Sequence, residues 1–252
     1  MTTRSPANLR DVRGLRTDDD RIVRRGVLYR SEVPLSGGAV GSGAEDTDVA
    51  VWPPADVIDL RTPEEWFAPH ALAAPGTTVH AVPMGASLAP ALRAAQTSDT
   101  DLSDAYRHLA RDAAGAVGRI AGIVASSPGP VLVHCTAGKD RTGIVVAVLL
   151  RAVGVRRADV VADYLRTEAN LPRLWSLLRA AGIPEPHNRA LLGVQASALE
   201  SVLDEVESAE GGAAGWLAAH GVDDPTLDRL AERLLSPVYV PAGQSLRQDL
   251  RT

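Results

Sequence analysis

The chain has 252 residues and a net charge of −5, with 45% hydrophobic residues but only 4% aromatic ones. Its length fits one large domain, and its acidic balance argues against a nucleic-acid-binding protein, which would carry a basic excess. A single cysteine excludes an intramolecular disulfide, and the longest apolar run, IVVAVLL, is far shorter than the ~20 residues of a membrane span. We therefore expect a cytoplasmic protein without a transmembrane segment or signal peptide, although non-classical secretion would leave no mark in the sequence.

The first 155 residues alternate short β-type runs with helical segments. Five runs predict strands: LRDVRG, RGVLYRSE, ADVIDL, TTVHAVPM and PVLVH. Apolar residues recur at helical spacing in LSDAYRHLARDAAGAVGRIAGIVASS, capped by Asp101 or Ser103, and in RTGIVVAVLLRAVGV, closed by Gly154. The Gly-rich segment 35–48 is predicted to be a surface loop. Strands that alternate with helices indicate an α/β fold with a central, mostly parallel sheet flanked by helices.

The remaining residues, 156–252, are predicted to be almost wholly helical. The sequence contains no internal repeat and no linker long enough to separate two domains. We therefore expect residues 1–252 to form a single domain, with an α/β core over 1–155 and a helical C-terminal part over 156–252.

The stretch VLVHCTAGKDRTG, from Val131 to Gly143, holds the only cysteine and the only lysine of the chain. It joins a predicted strand to a predicted helix, and the carboxyl end of a parallel strand is where α/β sheets bind ligands. The free N–H groups at the start of the following helix attract anions. The same field would stabilise the thiolate of Cys135.

Six residues after Cys135, Arg141 offers a planar fork of donors suited to two phosphate oxygens. The residues between them can turn their N–H groups inward, and Gly138 is free to adopt a positive φ. Thr142 is placed to donate its hydroxyl to the thiolate. A bare C-x5-R occurs by chance in many proteins, but HC-x-x-G-x-x-R-T-G between a buried strand and an apolar helix is specific. It predicts a pocket for a phosphate-sized dianion.

The segment HCTAGKDRTG resembles the active-site loop of the cysteine-dependent tyrosine and dual-specificity phosphatases, and the chain is similar to a bacterial branch of that superfamily. NLRDVRG, GVLYRSE, VIDLRTPEE, VHAVP, VVADYLRTEANLP and LLGVQASALESVLDEV follow in the family's order, so most of the chain is covered. The resemblance implies a tyrosine-phosphatase-like fold and a phosphatase that uses no metal or cofactor. Its substrates would be phosphotyrosine and, in some members, phosphoserine, phosphothreonine and phosphoinositides. Its partners would thus be phosphorylated proteins or phosphoinositides, whereas the oligomeric state stays open.

By this resemblance Cys135 is the nucleophile and Arg141 clamps the phosphate. The phosphate-binding cradle comprises Thr136, Ala137, Gly138, Lys139, Asp140 and Arg141. His134 is expected to tune the cysteine, with simple packing at a strand end as the alternative. Lys139 is expected to lie at the pocket rim, where its ammonium would meet a second phosphate of the substrate; a solvated loop residue is the alternative.

The general acid is the least defined part of the site. Family members often carry an aspartate just after the VHAVP strand, whereas this chain has no carboxylate from Val82 to Pro90. Asp140 is the best remaining candidate, followed by Asp59, for which the alternative is to anchor the turn after its strand. The VWPPAD segment precedes a strand and lies in the wrong part of the chain to supply the acid. His70 and His80 have no partners at metal-ligand spacing, so no metal site is expected.

Three other functions stay open. A phosphoinositide phosphatase would share the chemistry but favour lipid substrates. A sulfurtransferase also places a cysteine in a loop after a strand, but the Arg-Thr-Gly that follows this loop argues against it. A non-catalytic phosphate-binding module is favoured only by the missing acid.

An oxidised Cys135 has no second cysteine with which to form a disulfide. The thiol must therefore be shielded, or be trapped on oxidation as a sulfenic acid or sulfenamide. We expect shielding by a helical lid over about 166–192, by analogy with the family. Trp175 would then be either a lid residue or an ordinary helix-packing residue.

Overall fold

In the computed structural model the chain is described at residues 6–35, 49–66, 69–85, 102–186 and 191–237. Within these ranges five strands form one sheet: β1 (Arg10–Asp11), β2 (Leu28–Ser31), β3 (Asp56–Asp59), β4 (Thr78–Ala81) and β5 (Val131–His134). Their spatial order is β1-β2-β5-β3-β4, with β1 antiparallel to β2 and all other neighbours parallel. All five strands lie in the predicted runs, so the mostly parallel sheet is confirmed.

The strands end together at one edge of the sheet. Ser31 of β2 and Asp59 of β3 are both level with His134 of β5, and Asp59 is level with Ala81 of β4. The loops that follow these strands therefore meet at the same edge, as expected for a ligand site in a parallel sheet.

The described residues form eight α-helices. They are α1 (Leu102–Asp112), α2 (Ala114–Ser126), α3 (Asp140–Ala152), α4 (Arg157–Leu165), α5 (Thr167–Ala180), α6 (Ala196–Glu207), α7 (Gly212–Ala219) and α8 (Asp224–Leu234). A short 3-10 helix spans Pro63–Glu65. No helix in the described ranges is both long and apolar enough to cross a membrane.

The helical segment predicted from Leu102 is divided in two at Ala113. In the helical C-terminal part, α4 ends and α5 begins at Arg166. Ser103 lies inside α1 rather than at its cap, while Asp101 and most of the predicted Gly-rich loop (36–48) lie outside the described residues. Gly154 does close α3, with φ +82° and its N–H donating to Arg151 O at 3.0 Å.

The main hydrophobic core lies between one face of the sheet and the helices. It includes Leu28, Ile58, Val131 and Val133 from the strands, packed against aliphatic residues of the helices. On the other face, Tyr29, Val57 and Leu132 are covered by partly buried residues of the loops, including Trp52 and Leu72. Helix α3 is buried throughout Asp140–Leu150, so the loop between β5 and α3 rests on the most deeply packed part of the fold.

Candidate active site

The loop from Cys135 to Arg141 connects β5 to α3 at the shared edge of the strands. Gly138 lies at its turn with φ +65°, in the left-handed region that favours glycine. A Cβ atom at this position would lie 2.2 Å from the carbonyl oxygen of Ser31. The turn can therefore pack against the end of β2 only because residue 138 has no side chain.

Two carbonyl groups of this loop, those of Thr136 and Gly138, accept hydrogen bonds from residues outside it. Val33 N donates to Thr136 O at 3.1 Å, while Asn8 Nδ2 and Arg30 Nη2 both donate to Gly138 O at 3.1 Å. Across the described ranges, no N–H group of residues 136–141 donates a hydrogen bond to another residue. Successive N–H groups left in this way form a concavity that binds anions.

Arg141 is oriented by a buried carboxylate, Glu65. Its Nη1 and Nη2 atoms donate to the two Glu65 oxygens at 2.6 and 2.7 Å, and Nη1 also donates to Leu60 O at 3.2 Å. Glu65 further accepts hydrogen bonds from Thr136 Oγ1 at 2.5 Å and from Thr62 N at 3.0 Å. This bidentate pair fixes the plane of the guanidinium and ties it to the start of the loop.

The two charges of this pair support each other. Burial would raise the pKa of Glu65, but hydrogen bonds from Arg141 and its positive charge outweigh burial and lower that pKa. Burial would likewise lower the pKa of Arg141, but the hydrogen bonds and the charge of Glu65 raise it. Glu65 is therefore a carboxylate and Arg141 a cation, as a phosphate-binding arginine requires.

A second buried carboxylate, Asp163 of α4, supports the loop from the other side. Its oxygens accept from Arg10 Nε at 3.1 Å and from Arg30 Nη1 at 2.9 Å. Because Arg30 also donates to Gly138 O, Asp163 positions the loop through Arg30. Burial would raise the pKa of Asp163, but the charges of Arg30 and Arg10 lower it, so this group is ionised too.

Cys135 lies at the start of the loop with only 2% of its surface exposed. The predicted hydrogen bond from Thr142 to its sulfur is absent. Thr142 is fully buried, and its hydroxyl has no hydrogen-bond partner among the described residues.

Asp140 opens α3 and is buried beside two tyrosines. Tyr106 donates its hydroxyl to Asp140 Oδ1, and the Tyr106 and Tyr164 hydroxyl oxygens are 2.8 Å apart. Burial first, and the charge of Asp140 second, raise the pKa of Tyr106 well above its usual value, so this phenol keeps its proton as a donor. The carboxyl group adjoins the phosphate loop, but its role as the acid stays a prediction.

Lys139 does not lie as predicted. Its side chain is 1% exposed, and Nζ donates to Leu191 O at 2.5 Å and to Gly193 O at 2.8 Å. Its ammonium also lies 3.5 Å from Asp140 Oδ1. The prediction of a free ammonium at the pocket rim is therefore wrong, because backbone carbonyls from a distant segment bind it inside the protein.

Asp59 anchors the turn after β3, as the alternative interpretation held. Its oxygens accept from Arg61 N at 3.0 Å, Nε at 2.9 Å and Nη2 at 2.7 Å. Burial would raise the pKa of Asp59, but the hydrogen bonds from Arg61 outweigh it and lower the pKa. An ionised carboxylate that is saturated by an arginine is a poor proton donor.

His134 contacts the residue after it and a second histidine. Its Nδ1 lies 3.1 Å from Cys135 O and must donate, since a carbonyl only accepts. Leu72 N donates to His70 Nδ1 at 3.1 Å, so His70 carries its proton on Nε2, which lies 2.8 Å from His134 Nε2. The two neutral imidazoles thus form a one-directional hydrogen-bond relay that ends on the carbonyl of Cys135.

The sequence did not predict that His70 has close partners. Asp59, His70 and His134 each offer a ligand atom within 4.8 Å of the others, close enough to consider a metal ion. A metal on Nε2 of a neutral histidine requires the proton on Nδ1, but Leu72 N–H already points at Nδ1 of His70. Arg61 also occupies the oxygens of Asp59. The donor arrangement therefore fits the proton relay better than a metal.

The predicted lid segment packs against the loop in its described parts. Helix α5 contributes Leu171, Leu174, Trp175 and Leu178 to an apolar cluster that contains Ala137 of the loop. Trp175 also donates its Nε1 hydrogen to Leu192 O at 3.2 Å, so its packing role is clear. Shielding of Cys135 by this segment stays a prediction, and residues 187–190 lie outside the described ranges.

The residues that hold the loop from outside were not predicted from the sequence: Asn8, Arg30, Glu65 and Asp163. Only Glu65 left a local signal, because Thr62-x-x-Glu65 has the spacing of a capping box and does form one. That spacing predicts a turn but not the contact with Arg141, 76 residues later. Buried ion pairs of this kind are set by the sheet topology rather than by neighbours in the sequence.

Comparison with known proteins agrees with this geometry. A family model described as the tyrosine phosphatase family matches residues 1–236. A putative tyrosine-protein phosphatase of Cupriavidus necator is 32% identical over 233 residues, which cover 83% of this chain and 77% of the relative.

Two further relatives match over shorter stretches. The triple specificity protein phosphatase PtpB of Mycobacterium tuberculosis is 33% identical over 152 residues, covering 53% of this chain and 54% of the relative. A tyrosine-protein phosphatase of Nostoc commune is 39% identical over 122 residues, covering 44% of this chain and 41% of the relative. The chain thus spans about half the length of these two relatives.

Proposed function

The chain belongs to the tyrosine phosphatase family, and from this premise we propose that it hydrolyses phosphotyrosine through a thiolate on Cys135. The observation that carries the proposal is the loop itself. The carbonyls of Thr136 and Gly138 are bound from outside by Val33, Asn8 and Arg30, while the N–H groups of residues 136–141 have no acceptor within the described ranges. Glu65 holds Arg141 in place as the one guanidinium of the cradle.

The reaction proceeds in two displacements. The Cys135 thiolate attacks phosphorus in line; the S–P bond forms, the P–O bond to the leaving group breaks, and the leaving oxygen takes a proton. Water then attacks phosphorus, the S–P bond breaks, and the thiolate is regenerated with release of inorganic phosphate. The N–H groups of the loop and Arg141 stabilise the equatorial oxygens in both steps.

We assign the proton transfer to Asp140. Asp59 is the weaker candidate because Arg61 saturates its oxygens and lowers its pKa. Asp140 Oδ1 accepts the hydroxyl of Tyr106, so Oδ2 is the atom that would carry the proton. This residue would protonate the leaving oxygen in the first step and accept a proton from water in the second.

The substrate range is proposed to extend beyond phosphotyrosine. One relative is named a triple specificity protein phosphatase. The proposed substrates therefore include phosphoserine and phosphothreonine, with phosphoinositides as the family resemblance implies. We also propose that the protein acts in the cytoplasm. The buried ammonium of Lys139 gives no basis for selecting multiply phosphorylated substrates at the catalytic loop.

A second candidate function is a phosphate-binding module without turnover. It is favoured because the two carboxyl groups near the loop already accept hydrogen bonds, Asp59 from Arg61 and Asp140 from Tyr106. Neither is then an evident proton donor for the leaving oxygen. In this case the cradle would bind a phosphorylated partner and leave it intact.

Hydrolysis of p-nitrophenyl phosphate separates these functions, because its good leaving group needs little help from an acid. We expect turnover by the native protein and a loss of more than about a thousandfold in a Cys135→Ser variant, which lacks the nucleophile. The variant should still bind a phosphate analogue through Arg141 and the loop. A native protein that binds the analogue without turnover would establish the binding module, and a Cys135→Ser variant that keeps more than about a tenth of the activity would refute the nucleophile.

A further inference from the structure

A cavity separate from the phosphate loop lies between the N-terminal segment and α5. It has a volume of about 360 Å³ and is lined by Pro6, Ala7, Leu9, Arg10, Arg166, Ala169, Asn170 and Arg173. Three of these residues are arginines, and none of the described lining residues is acidic. The chain as a whole has a net charge of −5, so the positive charge at this cavity is a local concentration.

Among the described residues around this cavity, arginines outnumber carboxylates. Arg10, Arg30 and Arg166 lie around a single carboxylate, Asp163, at N···O distances of 3.1, 2.9 and 3.7 Å. Burial, followed by the repulsion of Arg30, lowers the pKa of Arg10 to about 10, and Arg166 adds to the repulsion. Glu168, the carboxylate of α5, accepts from Val194 N at 2.9 Å instead. The buried Glu32 accepts from the N–H groups of Ala7 and Asn8 at 2.5 and 2.9 Å, and from no arginine among the described residues. An anion in the cavity would relieve this excess.

The arginines of the cavity differ in what they can bind. Arg10 is 3% exposed and donates to Asp163, Asn8 and Thr167, so it supplies charge rather than a direct contact. Arg166 and Arg173 are exposed and lie seven residues apart at the start and middle of α5. Seven residues of helix span about 10 Å, so the two side chains approach the same cavity from points two turns apart.

We propose that this cavity is a binding site for a small anion with two phosphate groups, held by Arg166 and Arg173. Arginine binds phosphate oxygens through paired N–H donors, and two arginines spaced along one cavity suit two such groups. The described lining residues include no nucleophile beside these arginines, so the site binds its ligand without hydrolysing it.

The cavity is connected to the phosphate loop by direct contacts. Asn170 Nδ2 donates to Asn8 Oδ1 at 3.2 Å, and Asn8 Nδ2 donates to Gly138 O at 3.1 Å. Arg10 Nη1 also donates to Asn8 Oδ1, at 2.6 Å. An anion at this site would therefore act on the residues that support the loop; this regulatory consequence rests on the proposed function, whereas the binding itself does not.

Calorimetric titration with methylenebisphosphonate tests the site, since its carbon–phosphorus bonds resist phosphatase chemistry. We expect the native protein to bind two equivalents, one in the phosphate loop and one in the cavity. An Arg166→Gln/Arg173→Gln variant should bind one, with affinity for the second weakened by more than about tenfold. An Arg179→Gln/Arg229→Gln variant removes the same charge from exposed positions outside the cavity and should still bind two.

Further outcomes separate the two proposals. One equivalent in the native protein and none in Arg166→Gln/Arg173→Gln would support the cavity and contradict the phosphate loop. Equal binding by the native protein and by that variant, or equal losses in both double variants, would overturn the cavity site. Ala169→Leu fills the cavity without changing charge and should also abolish the second equivalent; unchanged binding would overturn the cavity as the location.

Vesicles identify the source of the ligand. Phosphatidylcholine vesicles with phosphatidylinositol bisphosphate should cosediment with Cys135→Ser, which cannot hydrolyse the lipid. If the anion is a lipid headgroup, adding Arg166→Gln/Arg173→Gln to Cys135→Ser should weaken this cosedimentation by more than about tenfold. Equal cosedimentation of the two proteins, together with bisphosphonate binding in the cavity, would assign a soluble anion to the same site.

Discussion

Two buried carboxylates support the phosphate loop, and they differ in their balance of charge. Glu65 faces one arginine, Arg141, and matches it with two hydrogen bonds of 2.6 and 2.7 Å. Asp163 faces Arg10 and Arg30, with Arg166 further out at 3.7 Å. The first arrangement is neutral, whereas the second keeps a net positive charge.

This difference fits two different tasks. A neutral, bidentate pair fixes one guanidinium in one plane, which is what the clamp of a transferred phosphoryl group needs. An arrangement with excess positive charge can support the loop and still attract an anion from outside. Substitutions on the two sides of the loop separate these tasks.

Loss of the Asp163 charge should give the largest effect. In Asp163→Asn, two buried arginines lose their counter-charge, and breaking a buried ion pair from one side costs about 3–5 kcal/mol. Urea unfolding should show this loss of stability. Asp204→Asn removes an exposed aspartate that pairs with Arg157 and should change stability by less than about 1 kcal/mol. Equal effects of the two substitutions would mean that Asp163 does not stabilise the buried arginines Arg10 and Arg30.

Acid should destabilise the protein through the uncharged histidine relay. Burial lowers the pKa of His134 from 6.5 to about 4, so the unfolded chain binds a proton more readily than the folded one in this range. The contribution of neutral His134 to the free energy of unfolding is therefore fully present above pH 6.5. It is lost as the pH falls through 4, by about 3 kcal/mol.

A His134→Gln variant isolates this contribution. Burial raises the pKa of Glu32, so protonation of Glu32 changes stability in the opposite sense. Subtracting the stability curve of the variant from that of the native protein cancels Glu32. A difference that does not change between pH 6.5 and pH 4 would contradict a neutral His134.

The sequence predicted the parts of the site that are contiguous. Cys135, Gly138 and Arg141 lie on one loop between a strand and a helix, and their spacing predicted the turn and its inward N–H groups. It could not predict what binds the loop from outside, because Asn8, Arg30 and Glu65 are brought to it by the order of strands in the sheet.

Lys139 shows the limit most clearly. Its position between Gly138 and Arg141 is compatible with a side chain at the rim or inside the protein. The direction is decided by the carbonyls of Leu191 and Gly193, more than 50 residues away, which bind its ammonium. Local spacing carries no information about such partners.

Neutralising Glu65 should weaken both catalysis and folding, because Arg141 then loses its buried counter-charge. Glu65→Gln keeps the shape of the side chain but loses the charge that orients Arg141, and we expect kcat/KM for p-nitrophenyl phosphate to fall about 100-fold. The neighbouring Glu64 is exposed, so Glu64→Gln is the matched control and should retain native kinetics. A Glu65→Gln enzyme with native kcat/KM would show that Arg141 does not need this partner.

Removing the ammonium of Lys139 should have the smallest effect. Lys139→Met leaves two carbonyl groups without a donor, and we expect a loss of about 1–3 kcal/mol in stability. Because the ammonium is buried, kcat/KM should fall by the same factor for a phosphotyrosine peptide and for a phosphoinositide. A selective loss on the phosphoinositide would restore the direct role that the buried position argues against.

The central claim is that Cys135 carries the phosphoryl group during turnover. Rapid acid quench of the native protein with p-nitrophenyl phosphate, followed by mass spectrometry of its peptides, tests it most directly. The account predicts one phosphoryl group on the peptide that contains Cys135, and none in Cys135→Ser. Turnover without this adduct, or with the phosphoryl group on another residue, would contradict it.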